Sequence, residues 1–165
     1  MNILVTGGLG YLGSHAVVEL IQQNYGVVIL DNLSNSHKKN LKRIEKITSQ
    51  KINFYKEDIR HKFMLHKISK DNKVKKFIYA SSSSVYGVKE AENVDEQMKL
   101  EPLTDYSKFK ADCERILLKY NSENFVTTVV RPATVCGYSP RQRLDVVVNI
   151  FTNLAFNRRK ISIFI

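Results

Sequence analysis

Short apolar runs alternate along this chain with stretches of helical spacing, and turn residues punctuate the changes. Ile3-Leu4-Val5 breaks at Gly7-Gly8-Leu9-Gly10 and gives way to Ala16-Val17-Val18-Glu19-Leu20-Ile21, which reads as strand, turn and helix. Val27-Val28-Ile29-Leu30 is a second strand ending in Asp31, and Ile52 to Tyr55 a third, ending at Glu57-Asp58-Ile59. Lys62 to Lys70 carries Phe63, Leu65 and Ile68 as a short helix, ahead of a fourth strand at Phe77 to Ala80. Past a loop with Pro102, a helix is expected from about Asp105 to Tyr120, then a fifth strand from Phe125 to Val130 closed by Arg131-Pro132. Leu144 to Ala155 again has helical spacing, and Ile161 to Ile165 is apolar, uncharged and β-prone, an edge that recruits other chains when left uncovered. Strands separated by helices predict an α/β chain with parallel pairing.

The first turn carries chemistry. Gly7, Gly10 and Gly13 stand between a strand and a helix, where small residues let the backbone approach phosphates and the helix start turns its N–H groups toward them. Asp31, at the end of the second strand, falls where an acidic residue hydrogen-bonds an adenosine ribose. A carboxylate there repels a ribose phosphate, so NAD is expected over NADP. The competing reading of Asp31 is a loop or helix-capping aspartate.

At 165 residues and 43% hydrophobic content the chain suits one domain, residues 1–165, with no separate substrate domain. It starts on a strand and has no apolar run long enough to cross a bilayer, so neither a leader nor a membrane span is expected and a cytoplasmic setting is. Cys113 and Cys136 lack metal-ligand spacing and read as small packing residues, with no disulfide or metal implied. The net charge of +10 raises nucleic-acid binding. Its densest stretches, His37 to Arg43 and Lys73 to Lys76, have no interleaved aromatics to stack on bases, which favours a solvated surface whose field recruits anionic ligands.

Ser82, Tyr106 and Lys110 are the candidate catalytic residues. Tyr106 and Lys110 are four apart in a helical segment and share a face, where an ammonium stabilises a phenolate and makes it a usable base. Ser82 follows a strand end, the edge at which open parallel sheets bind ligands, and is placed to hold a substrate hydroxyl for that base.

Five ordered segments, Thr6 to His15, Asp31-Asn32-Leu33-Ser34, Asp58-Ile59, Ser81 to Gly87 and Tyr106 to Lys110, resemble the extended short-chain dehydrogenase/reductase family, within it the sugar-nucleotide epimerases and dehydratases. The resemblance implies a Rossmann-like, doubly wound sheet and a tightly held NAD that takes a hydride from a sugar carbon and returns it to the other face of a keto intermediate. It implies NAD contacts from Gly7, Gly10, Tyr11, Leu12, Gly13, Asp31, Asn32, Ser34, Asp58, Ile59 and Lys110. Tyr106 would be the base, Lys110 its partner and a ribose ligand, and Ser82 the anchor of a nucleotide-sugar hydroxyl.

The chain departs from that family in three places. Between Asp58 and Phe77 one short helix stands where relatives carry a further strand, a loop and a long helix, roughly forty residues in the doubly wound pattern. Relatives also continue past position 165 into a substrate-binding region. Arg131-Pro132-Ala133-Thr134, followed by Ser139 to Asp145, replaces the aromatic residue and asparagine of the 4-epimerases, which leaves the sugar open. About five strands in order 3-2-1-4-5 are therefore expected, the gap closing because unpaired backbone inside a sheet is too costly. Closure would shift Ser82 by about one strand spacing, ~4.8 Å, so the isolated chain is expected not to turn over. A catalytically inactive NAD-binding fragment, self-associated or completed by another chain, is the alternative.

Overall fold

The apolar run at the start of the chain forms β1 (Asn2–Thr6), and the second run forms β2 (Gly26–Leu30). The two pair in parallel, Ile3 against Val27 and Val5 against Ile29, and β2 takes β3 (Asn53–Tyr55) on its other side, also in parallel. The computed structural model describes residues 2–74, 76–123, 125–137 and 146–162. It divides into two compact units, residues 1–75 and 76–165, each with its own sheet.

In the first unit α1 (Tyr11–Gln22) links β1 to β2, α2 (Lys39–Thr48) links β2 to β3, and α3 (Lys62–Asp71) follows. The apolar stripes of α1 and α2 meet the sheet in a core of Leu9, Val17, Ile21, Ile29, Ile44 and Ile52. Side chains of helical period thus cover the strand residues that point to one face, and Leu9, a turn residue, lies at the centre of that core.

In the second unit β4 (Lys76–Ala80) pairs in parallel with β5 (Val126–Val130), Phe77 against Thr127 and Ala80 against Val130. A short 3-10 turn at Ser83–Tyr86 follows β4, α4 (Asp105–Leu118) leads to β5, and α5 (Val147–Arg158) comes last. The buried cluster here is small: Val85, Tyr86 and Ala111, with Met98 and Leu100 packed on it.

All five expected strands and the long Tyr106 helix are present, with ends displaced by a residue or two where backbone pairing, not hydrophobicity, sets the limit. The order 3-2-1 is as expected, but the single sheet 3-2-1-4-5 is not: among the described residues β4 pairs with β5 alone, so the strands form two sheets and no backbone pairing closes the gap between β1 and β4. Cys113 and Cys136 are exposed, contrary to a packing role. Ser107, Ala111 and Glu114 make the buried stripe of α4, and position 113 falls off it. Ile161 and Ser162 form no strand, while 163–165 and the Ser139 to Asp145 segment lie outside the described residues. Among the described residues no helix is long and apolar enough to cross a membrane.

Candidate functional site

The glycine turn is held open on one side and tight on the other. Gly7 sits at φ +62°, and a Cβ added to it would meet nothing within 4 Å, so the outer face of the turn is open space. At Gly13 a Cβ would come within 2.2 Å of the Gly7 carbonyl oxygen, so α1 can approach the turn only with glycine there. Gly10 is the N-cap of α1, donates its N–H to the Gly7 carbonyl at 2.9 Å and offers no capping side chain. No acidic residue stands in the first turn of α1. A helix start with no side-chain cap and a concave glycine approach fit a pyrophosphate.

Asp31 is only 6% exposed, and its carboxylate already has three internal donors. Oδ2 accepts from the Leu9 N–H at 3.0 Å, and Oδ1 accepts from the Leu33 N–H at 2.9 Å and the Ser36 hydroxyl at 2.7 Å. A carboxylate has about four lone-pair positions, so about one is left for a ribose hydroxyl. Both readings of Asp31 therefore meet in one side chain: it is a loop-ordering aspartate that retains capacity for a ligand. Asn40 completes the arrangement by donating Nδ2 to the Leu9 carbonyl at 2.8 Å.

Beside it, Asn32 folds the backbone by accepting from the Ser34 N–H and donates Nδ2 to Asp58 at 2.9 Å. Arg60 grips the same carboxylate with Nε at 2.9 Å and a terminal nitrogen at 2.8 Å. These bonds, the Arg60 side chain first, hold the Asp58 carboxyl well below its ordinary range. Asn32, Ser34 and Asp58 are thus brought together, and the exposed Ile59 stands next to them.

In the second unit Lys110, on α4, reaches the carboxyl end of β4, which Ser82 follows by two residues. Thr104 caps α4 and exchanges hydrogen bonds with Ser107, which fixes the helix start just ahead of Tyr106. Lys110 donates Nζ to the Ala80 carbonyl at 2.8 Å and lies 5.0 Å from the Tyr79 ring centre and 5.6 Å from that of Tyr106. Burial, then contact with Cys113, pushes the Tyr79 phenol up, so Tyr79 stays protonated. Tyr106, 59% exposed, is the accessible phenol of the pair. Ser82 Oγ accepts from both the N–H and the hydroxyl of Ser84, at 3.2 and 2.9 Å, which leaves its own proton as the group it offers.

One network went unread in the sequence. Arg131 donates Nε and a terminal nitrogen to Glu114, the shortest contact being 2.7 Å, and its other terminal nitrogen to the Tyr86 hydroxyl at 2.8 Å. Its guanidinium is raised above its ordinary value, chiefly by the Glu114 hydrogen bonds. This network ties the end of β5 to α4 and to the 3-10 turn after Ser82. A carboxylate on the buried stripe of a helix, eight positions after Tyr106, was the available signal.

The model of the NAD dependent epimerase/dehydratase family matches residues 44–164, and that of GDP-mannose 4,6 dehydratase matches 4–76. UDP-glucose 4-epimerase of Pasteurella multocida is 46% identical over 87 residues, 53% of this chain and 26% of that protein. The Bacillus subtilis enzyme of the same name is 31% identical over 159 positions, 71% of this chain and 47% of that one. Because 71% of 165 residues is about 117, about 42 of those positions face no residue here. Among solved structures, the Thermotoga maritima UDP-glucose 4-epimerase with UDP-glucose matches at 30% identity and a TM-score of 0.73, over 93% of this chain and 62% of that one. The Stenotrophomonas maltophila UDP-glucose-4-epimerase with bound NAD and formylated UDP-arabinopyranose matches at 27% identity and 0.74, over 79% and 52%. The chain spans a quarter to a half of the length of the two curated relatives.

Proposed function

The chain belongs to the NAD dependent epimerase/dehydratase family, and on that premise we propose that it binds NAD on its glycine turn and carries the proton-transferring residues of a UDP-glucose 4-epimerase-type reaction. The observation that carries this reading is the position of Lys110, anchored on Ala80 two residues before Ser82 and within 5.6 Å of the Tyr106 ring. An ammonium beside an accessible phenol, at the strand end that Ser82 follows, supports that reading.

NAD, when bound, accepts a hydride from a sugar carbon and returns it. Tyr106 takes the proton of the hydroxyl on that carbon, and Ser82 donates its hydrogen bond to the same oxygen. That bond strengthens as the oxygen gains negative charge, which is where electrostatic stabilisation lowers a barrier. Lys110 has three N–H donors and spends one on Ala80, so two remain for a ribose. Gly7, Gly10, Tyr11, Leu12 and Gly13 hold the pyrophosphate, and Asp31, Asn32, Ser34, Asp58 and Ile59 the adenosine end. The substrate is a nucleotide sugar, the setting cytoplasmic, and residues 1–165 count as one incomplete NAD-binding domain.

The unmatched 42 or so positions favour a second reading, an NAD-binding chain that does not turn over alone and is completed by self-association or another chain. Exposed Ile78, Phe109 and Ile116 supply apolar surface for such a segment to cover. The purified chain is incubated with NAD and UDP-glucose or UDP-galactose. The expected result is NAD binding with no interconversion above a Tyr106→Phe control. Interconversion abolished by that substitution would overturn the second reading, and no NAD binding would overturn both.

A further inference from the structure

Leu9 is completely buried although it stands in the glycine turn, and both of its backbone groups are held by side chains from elsewhere in the unit. Its N–H goes to Asp31, after β2, and its C=O to Asn40, in the first turn of α2. Asn40 is 8% exposed and Asp31 6%, so neither bond competes with water. A peptide unit is planar, so the first bond fixes the Gly8–Leu9 plane and the second fixes the Leu9–Gly10 plane. The latter also carries the Gly10 N–H, which bonds the Gly7 carbonyl at 2.9 Å. Two successive planes are therefore set immediately before α1 begins, and with them the direction of the helix-start N–H groups.

We propose that Asn40 is a positioning residue of the dinucleotide site: without touching the ligand, it sets pyrophosphate affinity by holding the Leu9–Gly10 peptide in its binding orientation. This rests on the reading that the glycine turn binds NAD. The physical basis is preorganisation, since a turn already held in place loses less conformational freedom when a ligand arrives. Asp31 has a ligand role of its own and cannot report on the clamp alone. Asn40 can, because it has no assigned ligand contact and its amide nitrogen donates to the Leu9 carbonyl, 31 positions away in sequence.

The test compares NAD, ADP and adenosine binding to the full chain and to Asn40→Ala and Asn40→Asp, by calorimetry and ligand-observed NMR. The aspartate matches asparagine in shape, but its carboxylate at neutral pH has no proton to donate to the Leu9 carbonyl. Both variants are expected to weaken NAD and ADP about tenfold, ~1.4 kcal/mol, with adenosine unchanged within about twofold. A merely structural role predicts no such split between ligands with and without a pyrophosphate. Equal losses for all three ligands, or unchanged NAD and ADP in folded variants, overturn the proposal. If the parent chain binds neither NAD nor ADP, the dinucleotide reading fails and takes the proposal with it; if the parent binds and the variants bind equally well, only the proposal fails. Amide exchange on the parent chain adds a measurement that needs no variant. Leu9 and Gly10 amides protected before NAD is added support the clamp, and protection that appears only with NAD contradicts it.

Discussion

Replacing Arg131 with alanine removes the guanidinium that donates to the Glu114 carboxylate, a side chain only 2% exposed. Breaking a buried pair from one side costs about 3–5 kcal/mol, because the remaining charge is left without compensation. The Arg131 side chain is 17% exposed, so water reaches the vacated space and the lower end, about 3 kcal/mol, applies. Glu114→Gln keeps the shape and an acceptor oxygen while losing charge assistance, and should cost about 1–2 kcal/mol. Glu114→Leu with Arg131→Met removes both charges and should recover most of the loss, as replacement of buried pairs by apolar residues commonly does. Urea unfolding of the full chain, followed by far-UV circular dichroism and tyrosine fluorescence, ranks the three. The small Val85, Tyr86 and Ala111 cluster offers little to absorb the loss. Arg131→Ala within about 0.5 kcal/mol of the parent would refute the reasoning, since a surface substitution does no more than that.

Asp31→Ala should bring the NAD:NADP affinity ratio near unity in calorimetry, and should destabilise the chain by about 2–3 kcal/mol as three donors lose their acceptor; an unchanged ratio would show that Asp31 does not read the ribose. Arg60→Ala should return the Asp58 carboxyl toward about 4 in an NMR titration, from a position below the ordinary range. Because folding lowers this pKa, the contact favours the fold above about pH 4, and its contribution is lost as pH falls through the native value; an unmoved midpoint would contradict the assignment.

Hydrophobic periodicity carried the strands and helices because each needs only local pattern: Val27 to Leu30 is apolar throughout, and α4 repeats its buried positions at 107, 111 and 114. The closeness of Lys110 to Tyr106 was legible for a similar reason, since helical spacing puts the two on one face of α4. The Leu9 donor on Asp31 was not, because Leu9 lies 22 positions away and is brought close only by parallel pairing of β1 with β2. Arg131 and Glu114 are 17 apart on a strand end and a helix, a meeting that depends on how α4 packs on β5. Cys113 was misread because cysteine is commonly buried, while its position on α4 lies off the buried stripe of 107, 111 and 114 and leaves it exposed.

The central claim, dinucleotide binding at the glycine turn, is tested most directly by titrating NAD into isotopically labelled chain and following backbone amide resonances. Shifts should concentrate at residues 7–13, 31–34 and 58–59, and saturate with NAD concentration. No saturable shift there, or shifts confined to the basic stretch from His37 to Arg43, would contradict it.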